Sequence, residues 1–237
     1  MEYLMTVSAI PLCNELHRAY KLSALADFSH AQHEHLVPVA LDEYCQLASD
    51  YPLVFVKNSQ TGQFQAVALT GLIAGDNLYC QQNTWRAAQL PQWLKLYPFA
   101  MVVQDNQLRL AIVNNCPLLN QSEGLAFYLA DGQEAPLLQQ RRAQWLQHLQ
   151  QTQLMRAWVQ RLATADVLEA KVLQLADGQE INGLYLVSEH KLQNLSPEQH
   201  QAFHLAGDAQ YINAHFKSLA NIHRLVQWYT DRSAATV

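Results

Sequence analysis

DEYCQLASDYPLVFVKNSQTGQFQAVAL, Asp42 to Leu69, strings together a short helical candidate, a Tyr-Pro step, an apolar run, a polar turn and a second apolar run. Proline biases the residue before it away from the α region, so Tyr51-Pro52 marks where DEYCQLAS (Asp42–Ser49) ends and the strand LVFV begins. NSQTG then reads as a turn and FQAVAL (Phe64–Leu69) as the returning strand. The order recurs further along: PQWLKL leads to Tyr97-Pro98, FAMVV, the two-residue turn Asp105-Asn106, and QLRLAIV. Two hairpins, each entered from a helix, are predicted. The recurrence reads either as an old duplication or as two coincident Tyr-Pro pairs.

Outward from these hairpins, LADGQE occurs twice, at Leu129–Glu134 and Leu175–Glu180. Asp-Gly suits a tight turn, and the second copy lies between KVLQL and INGLYLV, where Ile181, Gly183, Tyr185 and Val187 alternate as in a hairpin. The first copy runs into a helix from about Leu138 to Leu162, with Leu138, Trp145, Leu149, Met155, Val159 and Leu162 near one face. Ser196-Pro197-Glu198-Gln199 combines an N-cap, a first-turn proline and a capping-box glutamine. A final helix after Gly207 is predicted to bury Ile212, His215, Leu219, Ile222, Val226 and Tyr229. Strands that pair with sequence neighbours argue for an α+β fold: a mainly antiparallel sheet built from hairpins, covered by a long amphipathic helix and a C-terminal helical segment. One domain over 1–237 is expected, with a hairpin-rich lobe (1–130) and a helix-rich lobe (131–237) as its subdivision.

Composition narrows the function classes. Fifteen basic against twenty acidic residues, with no dense Lys/Arg window, speak against nucleic acid as a partner. The 28 glutamines, beside only 15% charged residues, make much of the surface neutral amide. No apolar stretch approaches the roughly 20 residues of a membrane span. The N-terminal MEYLMTVSAIPLCNELHR carries an acid at position 2 and no basic segment, which places the protein in the cytoplasm as an expectation. Cys13, Cys45, Cys80 and Cys116 form no Cys-x-x-Cys pair and are expected to be reduced and mostly buried. There is no G-x-G-x-x-G, no P-loop and no G-x-S-x-G, so neither a nucleotide nor any other cofactor is expected.

GQFQAVALTGLIAGDNL (Gly62–Leu78) and Trp85 through LPQWLKLYPF (Leu90–Phe99) resemble the SapC family of bacterial proteins. LADGQEINGLYLVSEHKL (Leu175–Leu192) and AHFKSLANIHRL (Ala214–Leu225) are similar to its later segments. Where that pattern has Val-Asp-Glu, this chain has Val187-Ser188-Glu189. The family takes its name from a bacterial surface-layer locus, and the resemblance implies an accessory protein without carrying over catalytic residues.

Three groups of residues look chemical. His30, His33 and His35, beside Glu34, are candidate metal ligands, with two histidines and a carboxylate suiting non-haem iron and three histidines suiting zinc. The bland alternative is a solvated loop leading into Leu36. His215 falls on the apolar stripe of the final helix, either as a hydrogen-bonded core histidine or as a pocket residue. Trp85, Trp93 and Tyr97 around Arg86 read as core or as a pocket for a peptide or sugar. The leading expectation is an accessory or binding protein that engages a protein or small ligand. The alternative is a metal-dependent enzyme acting on a peptide or sugar. The long amphipathic helix would also serve a homodimer.

Overall fold

The computed structural model describes residues 8–175 and 178–235. In chain order these form β1 (Ala9–Pro11), α1 (Asn14–His17), β2 (Lys21–Leu22), a 3₁₀ turn at Ser29–Ala31, β3 (Leu36–Pro38) and α2 (Leu41–Leu47). There follow β4 (Leu53–Lys57), β5 (Phe64–Leu69), β6 (Cys80–Gln81), β7 (Thr84–Trp85), α3 (Gln92–Lys95), β8 (Phe99–Gln104) and β9 (Gln107–Val113). The remainder is β10 (Leu119–Asn120), β11 (Leu125–Ala126), α4 (Pro136–Thr164), β12 (Leu168–Gln174), β13 (Glu180–Val187), α5 (Glu189–Gln193), α6 (Pro197–Leu205), α7 (Ala209–Ser218) and α8 (Asn221–Ala235). The fold is α+β with antiparallel sheets. Among the described residues no helix is long and apolar enough to cross a membrane.

The chain divides into two compact units, one drawn from residues up to 27 with 93–150 and the other from 28–92 with 151 onward. Each unit therefore takes residues from both sides of residue 130. In the first unit β8 and β9 form a hairpin across Asp105-Asn106, and β1 pairs with β9 to give the order β1-β9-β8. Both turn residues have positive φ (51° and 59°), the geometry that a two-residue hairpin turn requires. Leu96, Phe99, Met101, Leu110, Ile112, Phe127, Leu138 and Trp145 bury into one core. A small second sheet, β10-β2-β11, belongs to the same unit.

The second unit is organised on a five-stranded sheet, β12-β13-β4-β5-β3. Val54, Phe55, Ala66, Val67, Ala68 and Leu69 are all buried, so both faces of the central hairpin are covered. This explains why LVFV and FQAVAL read as continuous apolar runs rather than as alternating strands. One face packs on an aromatic group in which Phe55 lies 5.8 Å from Trp158 and Trp158 lies 5.0 Å from Tyr44.

The long helix forms as predicted, with Leu138, Trp145, Met155, Val159 and Leu162 buried within the chain itself and Leu149 half-buried. The capping box at Ser196 forms, with Ser196 Oγ accepting from Gln199 N–H at 3.2 Å. Three expectations need correcting. The final helix is two helices, broken at Leu219–Ala220, and the buried residues become Ala214, His215, Ser218, Asn221, Leu225 and Tyr229 because the helical period restarts at the break. In β13 the buried residues are Leu184 and Val187, which face opposite sides, so strict alternation fails beside the bulge at Lys171/Leu173. All four cysteines are free, but only Cys116 is buried and Cys45 is exposed. Asp131-Gly132 makes a tight turn closed by a Tyr128–Glu134 bridge. Its counterpart at Asp177-Gly178 includes Ala176 and Asp177, which lie outside the described residues, as do the first seven residues of the N-terminal segment.

Candidate functional site

Two cross-strand pairs on one face of the five-stranded sheet, Leu36 with Leu69 and Val56 with Leu184, form the floor of a groove of about 460 Å³. One wall is Gly71–Ala74, the other Gln179–Gly183, and His35 stands beside Leu36 at the rim. The size lies within the range of small-ligand pockets, and the floor is aliphatic. Gly71 is required by the wall's path: a Cβ there would sit 1.6 Å from the Asp76 carbonyl oxygen. Gly183 has φ of +84°, and it keeps a side chain out of that stretch of the opposite wall.

The histidine segment holds the first wall in place. His33 Nδ1 lies 2.9 Å from the Gly75 carbonyl, and Gly75 N–H donates to His35 Nδ1 at 3.4 Å. Asn77 Nδ2 donates to the Ala31 carbonyl at 2.9 Å and Thr70 Oγ1 donates to that of Glu34, so segments 31–35 and 70–77 are laced together. Burial pushes His35 below its ordinary range, against the pull of Asp76, and pushes Glu34 above its own, against the pull of His33. His30 packs separately, its ring 6.3 Å from Phe28. Among the described residues no group of three or more His, Cys, Asp or Glu is arranged to hold a metal ion.

The aromatic candidates belong to two separate clusters. Trp85 Nε1 donates to Tyr51 Oη at 2.7 Å, and the Trp85 ring stacks on Tyr79 at 6.1 Å with the planes inclined by 28°. Arg86 lies 3.9 Å over the ring of Trp228, which meets Tyr79 edge-on at 5.1 Å. Tyr51 in turn donates to the Gln89 carbonyl, and burial raises the phenols of Tyr51 and Tyr79, the latter to about 12. In the other unit Trp93 packs edge-on against Trp145 at 5.7 Å and near His148 at 6.0 Å, while Tyr97 Oη lies 3.9 Å from Cys116 Sγ. Sequence adjacency had suggested one aromatic group. It missed Tyr51, Tyr79 and Trp228, which tertiary folding brings to Trp85.

His215 is fully buried and accepts from Val187 N–H through Nε2 at 3.1 Å. Strands β4 and β13 pair at Val56–Leu184 and Phe55–Tyr185, and the same register carried two residues further would pair Leu53 with Val187. Instead Leu53 N–H donates to Ser218 Oγ at 3.1 Å, and Ser218 Oγ donates to the His215 carbonyl at 2.6 Å. Helix α7 thus wedges the two strands apart and satisfies the amides that their divergence exposes. Burial pushes the His215 ring down to about 4, against a smaller opposing pull from the Leu53 backbone. The imidazole is a neutral core acceptor whose Nε2 lone pair is already used.

Ser188, which replaces aspartate in the resemblance, N-caps α5: its Oγ accepts from Lys191 N–H at 3.4 Å. Serine and aspartate are near equivalents at an N-cap, so the departure leaves the local capping intact.

No curated protein and no solved structure matches this chain. The SapC family model matches residues 12–225, taking in both hairpins, the long helix and the start of the closing one. With nearly all of its 237 residues inside that match, the chain belongs to the SapC family.

Proposed function

We propose that this SapC-family chain is an accessory binding protein that takes a small ligand or a peptide into the groove of its five-stranded sheet. The observation behind this reading is the groove itself: an aliphatic floor made by two strand pairs, closed by a wall that His33 and His35 hold at Gly75. A site of this shape binds by burying apolar surface, with a few polar groups for orientation. The two imidazoles nearest to it engage a backbone through Nδ1, which suits positioning rather than turnover. In this reading the surface-layer connection of the family name corresponds to an accessory role performed in the cytoplasm.

Native mass spectrometry of untagged protein purified without chelators tests the proposal, paired with a variant that fills the groove, Ala74→Trp. The expected result is a retained or added ligand that binds the parent chain and is lost from the variant, with no change in fold. Stoichiometric metal that disappears in a His33→Ala/His35→Ala double variant, or ligand binding indifferent to Ala74→Trp, would overturn it. Cell fractionation that finds the chain only in an exported fraction would remove the cytoplasmic part.

A further inference from the structure

We infer that the groove selects an uncharged aliphatic amide, as presented by a short apolar stretch of peptide, whose carbonyl oxygen accepts from His35 Nε2–H. The inference rests on the binding reading above and adds the chemistry of the ligand.

The tautomer of His35 is set by the protein. Because Gly75 N–H donates to Nδ1 at 3.4 Å, Nδ1 must carry the lone pair, and a neutral ring then carries its proton on Nε2. Burial favours that neutral ring, with Asp76 and the neighbouring His33 and Glu34 as the charged or titratable groups around it. The rim residue therefore offers a single N–H donor beside an aliphatic floor.

Charge decides the rest. Among the described residues lining the groove there is one carboxylate, Glu180, and no lysine or arginine. An anionic ligand would meet Glu180 without a compensating cation, and burying it against Leu36, Val56, Leu69 and Leu184 is disfavoured because its charge would be desolvated without a partner. A neutral amide fits better, because its carbonyl accepts from His35 while its N–H can donate to Glu180 or to the Asn182 side-chain oxygen. A plain hydrocarbon would leave those groups unused, and a carboxylate could satisfy only the donor.

The test uses the full chain, ¹⁵N-labelled, and three probes that share the leucine side chain and differ in charge at their termini: N-acetyl-leucine N-methylamide (neutral), N-acetyl-leucine (anionic) and leucine amide (cationic). The neutral probe is expected to shift the amides of Gly71, Gly75, Asn182 and Gly183, and to bind at least roughly 10-fold more tightly than the anionic one. His35→Asn places an amide oxygen near the position of Nδ1 but has no donor at Nε2. It should keep the Gly75 amide resonance and lose about 10-fold for the neutral probe, whereas His35→Gln, which carries an N–H near Nε2, should retain more of the binding. Preference for a charged probe, or full binding by His35→Asn with Gly75 undisturbed, would overturn the ligand assignment alone. Absence of any groove shift with all three probes would bring down the binding reading with it.

Discussion

In the hairpin after Pro52, Leu53 pairs with Ala68 and Ala68 with Val37; in the hairpin after Pro98, Phe99 pairs with Ile112 and Ile112 with Ile10. The correspondence continues beyond the strands. Leu69 N–H bonds the Pro52 carbonyl and Val113 N–H that of Pro98, both at 2.9 Å, while Thr70 N–H reaches His35 as Asn114 N–H reaches Ser8. Both third strands end in proline, Pro38 and Pro11, and a helix starts three residues later in each, after an extended N-cap at Ala40 or Cys13. One copy runs without interruption from β3 to β5. The other has its third strand and first helix before residue 18 and its hairpin after residue 98, with the whole first copy lying between them.

What differs is how the outer edge of each hairpin is finished. The amide of Leu53 is satisfied by a side chain, Ser218, and β4 gains β13 as a further neighbour. The equivalent amide of Phe99 is satisfied by the carbonyl of Leu96, the residue that follows α3, and β8 ends its sheet. The tyrosines differ likewise: Tyr51 donates to the Gln89 carbonyl and accepts from Trp85 Nε1–H at 2.7 Å, whereas Tyr97 Oη lies 3.9 Å from the Cys116 thiol. One frame is thus held by long-range side chains and the other by local backbone.

The sharpest way to break the comparison is His215→Ala, which removes a fully buried ring and the acceptor for Val187 N–H. A loss of about 3–4 kcal/mol in urea denaturation is expected, from the cavity and the orphaned amide together. A loss below about 1 kcal/mol would mean that α7 does not hold the strands. Acid probes the same residue. The folded ring titrates near 4 and an unfolded one near its usual value of 6.5, so between those pH values the unfolded state binds the extra proton. Stability should therefore fall as pH drops from 6.5 towards 4, by up to about 1.4 kcal/mol per unit, with His215→Gln flattening the slope. Tyr51→Phe should cost about 2 kcal/mol and Tyr97→Phe under about 0.5 kcal/mol, by the same denaturation assay. Equal costs would show that the two frames are held alike. Smallest of all, Asn106→Gly should stabilise the β8–β9 turn by a few tenths of a kcal/mol, since glycine accepts its φ of +59° without strain.

Much of this was legible beforehand because it is local. The two hairpins, the Asp105-Asn106 turn, the capping box at Ser196 and the buried stripe of α4 depend on residues a few positions apart, and their patterns survive folding. The candidate site was legible only in pieces. His33 and His35 do share a target, but it is the carbonyl and amide of Gly75, about forty residues on. Trp85 was visible, whereas Tyr51, Tyr79 and Trp228 carry no sequence sign of being its neighbours.

The sequence by itself determined the α+β class, the hairpin registers' starting points at Tyr-Pro and the family, since these follow from propensity, periodicity and motif. Tertiary structure alone decided the break at Leu219–Ala220, the interleaving of two units and the groove beneath Gly71–Ala74. The physical reason is that satisfying a buried amide, or closing a wall over an apolar floor, depends on which distant groups arrive there, and chain order does not record that distance.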